Sequence, residues 1–226
     1  LVNRNLLTVL PLTDEVIHSE TGDYISEFEN GEIAWSNELV LHVIELKTNG
    51  PKRSLSNVSS EFQKNVSLIN QILKRKNGML LPSGIHPFMD PFKEAKICPH
   101  EYNEVYESYN RIFDCRGHGW SNLQSTHINL PFYDDEEFGM LHAAIRLLLP
   151  IIPALSAGSP LMDGNFSGSK DTRLEVYRHN QKKVPSVAGK IIPERAFTKK
   201  EYEEKILDKI YSDIAEYDTN KILQNE

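Results

Sequence analysis

Cysteine is scarce in this chain: its 226 residues include two, Cys98 and Cys115, with no C-x-x-C pairing. Neither a disulfide framework nor a cysteine zinc site is predicted. Long apolar runs are missing as well. The longest, Ile145 to Leu155, contains Arg146 and is broken by Pro150 and Pro153, which is too short to span a bilayer. No charged-then-apolar leader opens the sequence. Lys and Arg form no runs and the net charge is −7, so a nucleic-acid surface is not expected. P-loop, G-x-G-x-x-G and G-x-S-x-G patterns are absent, and Gly117-His118-Gly119 does not lead from a strand into a helix. His86, His100, His118 and His127 would serve a metal-dependent hydrolase, but none has H-x-H or H-x-x-x-H spacing. These absences predict a cytoplasmic protein that meets neither membrane nor nucleic acid.

What is present suits a folded α+β chain. Apolar residues make up 39% and charged ones 25%, which fits one domain or two small ones. The patterning predicts a short helix from Thr13 to Glu20 capped by Thr13, strands over Tyr24–Phe28, Ile33–Trp35 and Leu39–Thr48, and a helix capped by Ser54. A strand over Met79–Ile85 follows, then a tyrosine-bearing helix over Glu101–Phe113, an alternating strand over Gln124–Leu130 and a helix opened by Asp134 and Asp135. That helix bends near Pro150. A capping box at Thr198 and Glu201 starts the last helix, with Ile206, Ile210 and Ile214 four apart. Short connections between neighbouring strands favour antiparallel pairing.

Three segments could carry chemistry. In the first, Glu45 interrupts an apolar strand, and a carboxylate there needs a cation or hydrogen bonds. A salt bridge from a neighbouring strand would meet that need equally. Glu38 lies seven residues earlier, on the opposite face of an ideal strand, so both reach one site only through a loop or a bulge. In the second, Ser125, His127 and Asn129 share one face of their strand, with Thr126, Ile128 and Leu130 on the other. Such a polar stripe lines a ligand site or a solvated edge. In the third, Pro153 to Pro160 leads from a helix into a turn, followed by Asp163-Gly164 and Arg173. Arg173 could hold a carboxylate or phosphate bidentately, or stand as an ordinary loop arginine. His86, in Gly84-Ile85-His86-Pro87-Phe88, suits a turn-orienting role.

In this order the segments resemble the bacterial and plant glutamate–cysteine ligase family and its carboxylate–amine ligase relatives. The resemblance rests on Glu38 with Glu45-Leu46-Lys47-Thr48, Gly84 to Phe88, Arg111 ending the tyrosine helix, His127-Ile128-Asn129, Ala154 to Pro160, Asp163-Gly164 and Arg173. It covers roughly Glu32 to Gly189. It implies a glutamine-synthetase-like fold, a curved antiparallel sheet with helices packed on one face, and an ATP-dependent ligase active in the glutathione pathway. In that reaction ATP phosphorylates the glutamate side-chain carboxylate, and the amine of cysteine or a related amine attacks the acyl phosphate. ATP and Mg2+ are the implied cofactors. Glu38 and Glu45 would hold the metal, with Glu45 and Arg173 at the reacting groups and His127, Asn129 and Arg111 on the nucleotide. A non-catalytic homologue that binds nucleotide or amino acid is the alternative.

The resemblance also implies a Glu-x-Glu strand that Leu1 to Leu12 does not supply, and a further strand region beyond Glu226. Gly158 stands where relatives commonly carry Asn, and Arg111-Ile112 where they often carry Arg-Tyr. Residues 1–226 are therefore expected to form a single catalytic domain truncated at both ends and inactive alone. A Glu-x-Glu pattern is expected just upstream of Leu1.

Overall fold

Apolar and polar residues alternate along two short stretches, and this builds the sheet that organises the first half of the chain. In a computed structural model that describes residues 1–99 and 103–218, β1 (Val2–Asn3) is followed by α1 (Thr13–Thr21), β2 (Glu27–Asn30), β3 (Ile33–Asn37) and β4 (Ile44–Thr48). The last three form an antiparallel sheet in the order β2-β3-β4. Phe28, Ile33, Trp35, Ile44 and Leu46 point to one face and join Val16 of α1 and Ile69, Ile72 and Leu73 of α2 (Val58–Lys74) in the main core. Trp35 is fully buried, and its indole N–H donates to Asn65 Oδ1 of α2 at 2.8 Å. Period-two alternation then sends Glu27, Glu29, Ala34, Ser36, Glu45 and Lys47 to the face away from the helices.

After α2 come β5 (Gly78–Met79), paired with β1, and the short α3 (Pro91–Glu94). Next are α4 (Asn103–Phe113), α5 (His118–Ser121) and α6 (Asp135–Leu148). A second core gathers Ile112, Phe113, Cys115 and Val184, with Tyr109 and Trp120 packed on it. Beyond α7 (Ile152–Ser156), Asp163 and Gly164 both take left-handed φ, 52° and 75°. They form the two-residue turn that joins β6 (Leu161–Met162) to β7 (Asn165–Phe166). The chain continues through α8 (Thr172–Tyr177), α9 (Pro185–Ala188), α10 (Lys199–Tyr202), a π-helical stretch Glu203–Leu207 and α11 (Asp208–Ala215).

Several expectations change. Leu39–Thr48 is not one strand. Leu39 to Leu41 hydrogen-bonds to Lys96–Cys98, and a turn through His42 precedes β4. Strand structure at Met79 stops there rather than running to Ile85. Residues 124–130 are in no strand, and both expected faces, Ser125, His127 and Asn129 on one and Thr126, Ile128 and Leu130 on the other, are exposed. Without a ladder partner among the described residues, that alternation has no buried side. Thr13 lies inside α1, where its hydroxyl donates to Val43 O, so it is no cap. Ser54 bonds to Ser56, and α2 starts after Asn57. Asp134 does cap α6, accepting from Glu137 N at 2.9 Å. Thr198 caps α10, accepting from Glu201 N at 3.1 Å. The predicted start of α4 at Glu101 falls outside the described residues, as does His100.

Candidate functional site

The hairpin β3–β4 brings the two glutamates together. Its register pairs Asn37 with Ile44 and Ser36 with Glu45. Glu38 therefore leaves β3 two residues after Ser36, keeping its parity, while Glu45 faces Ser36 across the ladder. The expectation of opposite faces assumed one continuous strand. With the turn in between, the two residues sit on different arms of a hairpin, and the seven-residue spacing no longer separates them.

Their proximity registers electrostatically. The Glu38 carboxyl is held above the usual carboxylate range, first by burial and next by the negative charge of Glu45. The Leu39 N–H, His127 and Lys47 act in the opposite direction. Glu45 Oε2 accepts a hydrogen bond from Ser36 Oγ at 3.0 Å. Lys47, two residues on and on the same face, is ion-paired with Glu27 of β2. His127 is exposed, and 124–130 forms no strand, yet its charge acts on Glu38. Asn129 follows on the same exposed stretch.

Arg173, in the first turn of α8, reaches this stretch. Its Nη1 donates to Ser125 Oγ at 2.9 Å, and its backbone N–H donates to Ser159 Oγ at 3.0 Å. Asp171 caps the helix by accepting from Leu174 N. Arg173 thus stands two residues along the chain from His127, counted through Ser125. Arg111 is placed differently. It is exposed on the last turn of α4 and donates to Ser108 Oγ at 3.4 Å within its own helix.

His86 has the turn-orienting role. Its Nδ1 accepts from the N–H groups of Phe88 and Met89 at 3.1 and 3.0 Å, so the proton sits on Nε2, which donates to Leu7 O at 2.8 Å. Burial moves its pKa down. The fully buried Asn122 clamps the same residue, accepting from His86 N at 2.7 Å and donating to His86 O at 3.1 Å. His118 is fixed in the same way: its Nδ1 meets the Asn122 amide, and its Nε2 meets Asp163 at 3.1 Å.

Sequence reasoning passed over Ser36, Lys47 and Asn122. The first two become visible only when β4 is folded back on β3. Asn122 gave no signal, because a buried amide is recognised by what surrounds it.

Carboxylate oxygens on a rigid hairpin suit a hard divalent cation, and the mutual repulsion at Glu38 is what such a cation relieves. Among the described residues no three His, Cys, Asp or Glu side chains converge as a metal-binding group. Glu38 and Glu45 therefore supply part of a coordination shell at most. No helix among the described residues is long and apolar enough to cross a membrane.

A family model described as glutamate-cysteine ligase family 2 matches residues 8–212. An uncharacterized protein of Archaeoglobus fulgidus is 37% identical over 214 residues, covering 94% of this chain and 57% of its own length. A protein named "Putative glutamate--cysteine ligase 2" from Dechloromonas aromatica is 28% identical over 159 residues, 68% of this chain and 38% of its own. One of the same name from Sorangium cellulosum is 28% identical over 141 residues, 62% and 36% respectively. The chain thus spans less than two thirds of the length of each of these relatives. No solved structure matches it.

Proposed function

Since the chain belongs to glutamate-cysteine ligase family 2, we propose that it carries part of the active surface of an ATP-dependent ligase. That ligase would join the side-chain carboxylate of glutamate to the amine of cysteine or a related amine. The observation that supports this most directly is the nearness of Glu38 to Glu45 at the β3–β4 hairpin.

A carboxylate is a poor electrophile because its leaving group would be oxide. In the proposed reaction a glutamate side-chain oxygen attacks the γ-phosphorus of ATP and ADP departs. The amine then adds to the carbonyl carbon of the acyl phosphate, inorganic phosphate leaves and the nitrogen loses a proton. Phosphoryl transfer depends on positioning and on neutralising charge more than on covalent help from the protein. Magnesium held by Glu38 and Glu45 would supply that neutralisation at the phosphates. Ser36 fixes the Glu45 carboxylate through its hydroxyl. His127 and Asn129 would contact the nucleotide. The Arg173 guanidinium, oriented by Ser125, offers donors to carboxylate or phosphate oxygens. Arg111 would contact nucleotide from α4.

Calorimetric titration of the full-length protein with ATP and magnesium, then an ADP-release assay with glutamate and cysteine, tests the proposal. Saturable nucleotide binding with amine-dependent ADP release is expected. Binding without turnover would support a non-catalytic nucleotide-binding homologue. No binding of ATP–magnesium or glutamate would sink both readings.

A further inference from the structure

Gly84 does not occupy the left-handed region, so the need for a glycine there is not conformational. Its surroundings supply a different reason. A Cβ at this position would meet Arg173 Cδ at 3.1 Å, Arg173 Nε at 3.7 Å and Gln124 O at 3.8 Å. The stem of Arg173 therefore lies across the bare backbone of Gly84. The same backbone is tied to the segment that holds the guanidinium. Gly84 O accepts from Gln124 N at 3.0 Å, and the next residue, Ser125, accepts from Arg173 Nη1. On the far side the Ser159 hydroxyl accepts from the Arg173 backbone N–H.

From this packing we infer that Gly84 is a positioning residue: its missing side chain sets the height at which Arg173 presents its guanidinium to an anion. The anion's identity rests on the ligase reading, as a substrate carboxylate or a phosphate. The packing itself does not rest on that reading. A methyl group at residue 84 forces the Arg173 stem outward by a few tenths of an ångström, because neighbours at 3.1 Å are tighter than ordinary contact. It also strains the Ser125 bond. A guanidinium recognises an oxyanion through a planar fork, so a small tilt costs alignment as well as distance.

Four proteins test this: the wild type, Gly84→Ala, Arg173→Ala and the double variant. The first readout is the side-chain Nε–H resonance of Arg173 by NMR, assigned by its loss in Arg173→Ala. In Gly84→Ala it is expected to shift and broaden. The second is calorimetric affinity for ATP–magnesium and for glutamate. Gly84→Ala should weaken one of them roughly tenfold, and it should cause no further loss once Arg173 is gone. An unchanged Arg173 resonance in Gly84→Ala overturns the inference, as does an equal Gly84→Ala penalty in the Arg173→Ala background. If Gly84→Ala does not fold, thermal unfolding of the double variant decides. Recovery of folding when Arg173 is removed supports the contact, and failure to recover overturns it. A wild type that binds neither probe, with the resonance still perturbed by Gly84→Ala, removes the ligase reading and leaves the packing inference intact.

Discussion

A glutamate on a sheet face has two common fates: it neutralises a cation next to it, or it is held for something that arrives. At Glu45 removal of the charge separates the two. Ser36 donates to one carboxylate oxygen, while the lysine on the same face is engaged with Glu27. Glu45→Gln keeps the size and the hydrogen bond to Ser36 but removes the charge. In the ligase reading, turnover of the complete enzyme should drop by orders of magnitude, with the thermal midpoint nearly unmoved. Steady-state ADP release alongside thermal unfolding reads both. Retained turnover with a lowered midpoint would assign Glu45 to charge balance instead. His127→Ala should behave differently. The imidazole is exposed and contributes little packing, so stability should stay level while ATP–magnesium affinity weakens by about 1–3 kcal/mol in a calorimetric titration.

At the scale of elements, the sheet holds its helices through an amide. Asn65 on α2 is nearly buried and accepts from Trp35 Nε1 and from Asn30 Nδ2 at 2.8 and 2.9 Å, while its own amide donates to Glu61 O. Asn65→Leu preserves volume and strands the indole N–H in the core. A loss of about 2 kcal/mol is expected in urea unfolding, and Asn65→Asp, which keeps an acceptor, should lose less. The sequence carried much of this layer. Residues at helical spacing in α2 announced the helical side of the core, because one-sided burial imprints a period, and β3 and β4 were legible as apolar strand segments. Other parts were not legible. The six-residue excursion between Asn37 and Ile44 contains Val40 and Leu41, which read as strand. A chain that pairs with Lys96–Cys98 and then turns looks locally the same as one that runs straight. Likewise 124–130 alternates as a strand does, but pairing requires a neighbour, and no neighbour is written into the segment itself. Glu38, Glu45, His127 and Arg173 were nameable from the sequence. The nearness of the two glutamates depended on the register of the hairpin, and the tie of Arg173 to the His127 segment on its bond to Ser125.

For the whole molecule, acid should be the first stress to tell. Burial lowers the pKa of His42 to about 4, and burial lowers that of His86 too. His42 donates from Nε2 to Ser121 O, and its Nδ1 is buried with no partner in the described structure. Both rings are thus neutral when folded and take up protons more readily when unfolded. Their contribution is complete above pH 6.5, the ordinary histidine value, and is lost as pH falls below it, for His42 down to about 4. For His42 it amounts to on the order of 3 kcal/mol. Urea unfolding at several pH values should show stability falling over that window, and His42→Asn should flatten the fall. An equal slope in both proteins would clear His42 of the effect. The clamp on His86 bears on a slower property. The segment around it belongs to no helix or strand, where backbone amides ordinarily trade hydrogen for deuterium quickly. The His86 N–H instead points at the carbonyl of a side chain with no solvent exposure. In heavy water it should retain its hydrogen about as long as amides in the middle of β3, and Asn122→Ala should release it. That would make this irregular turn one of the last parts of the chain to open.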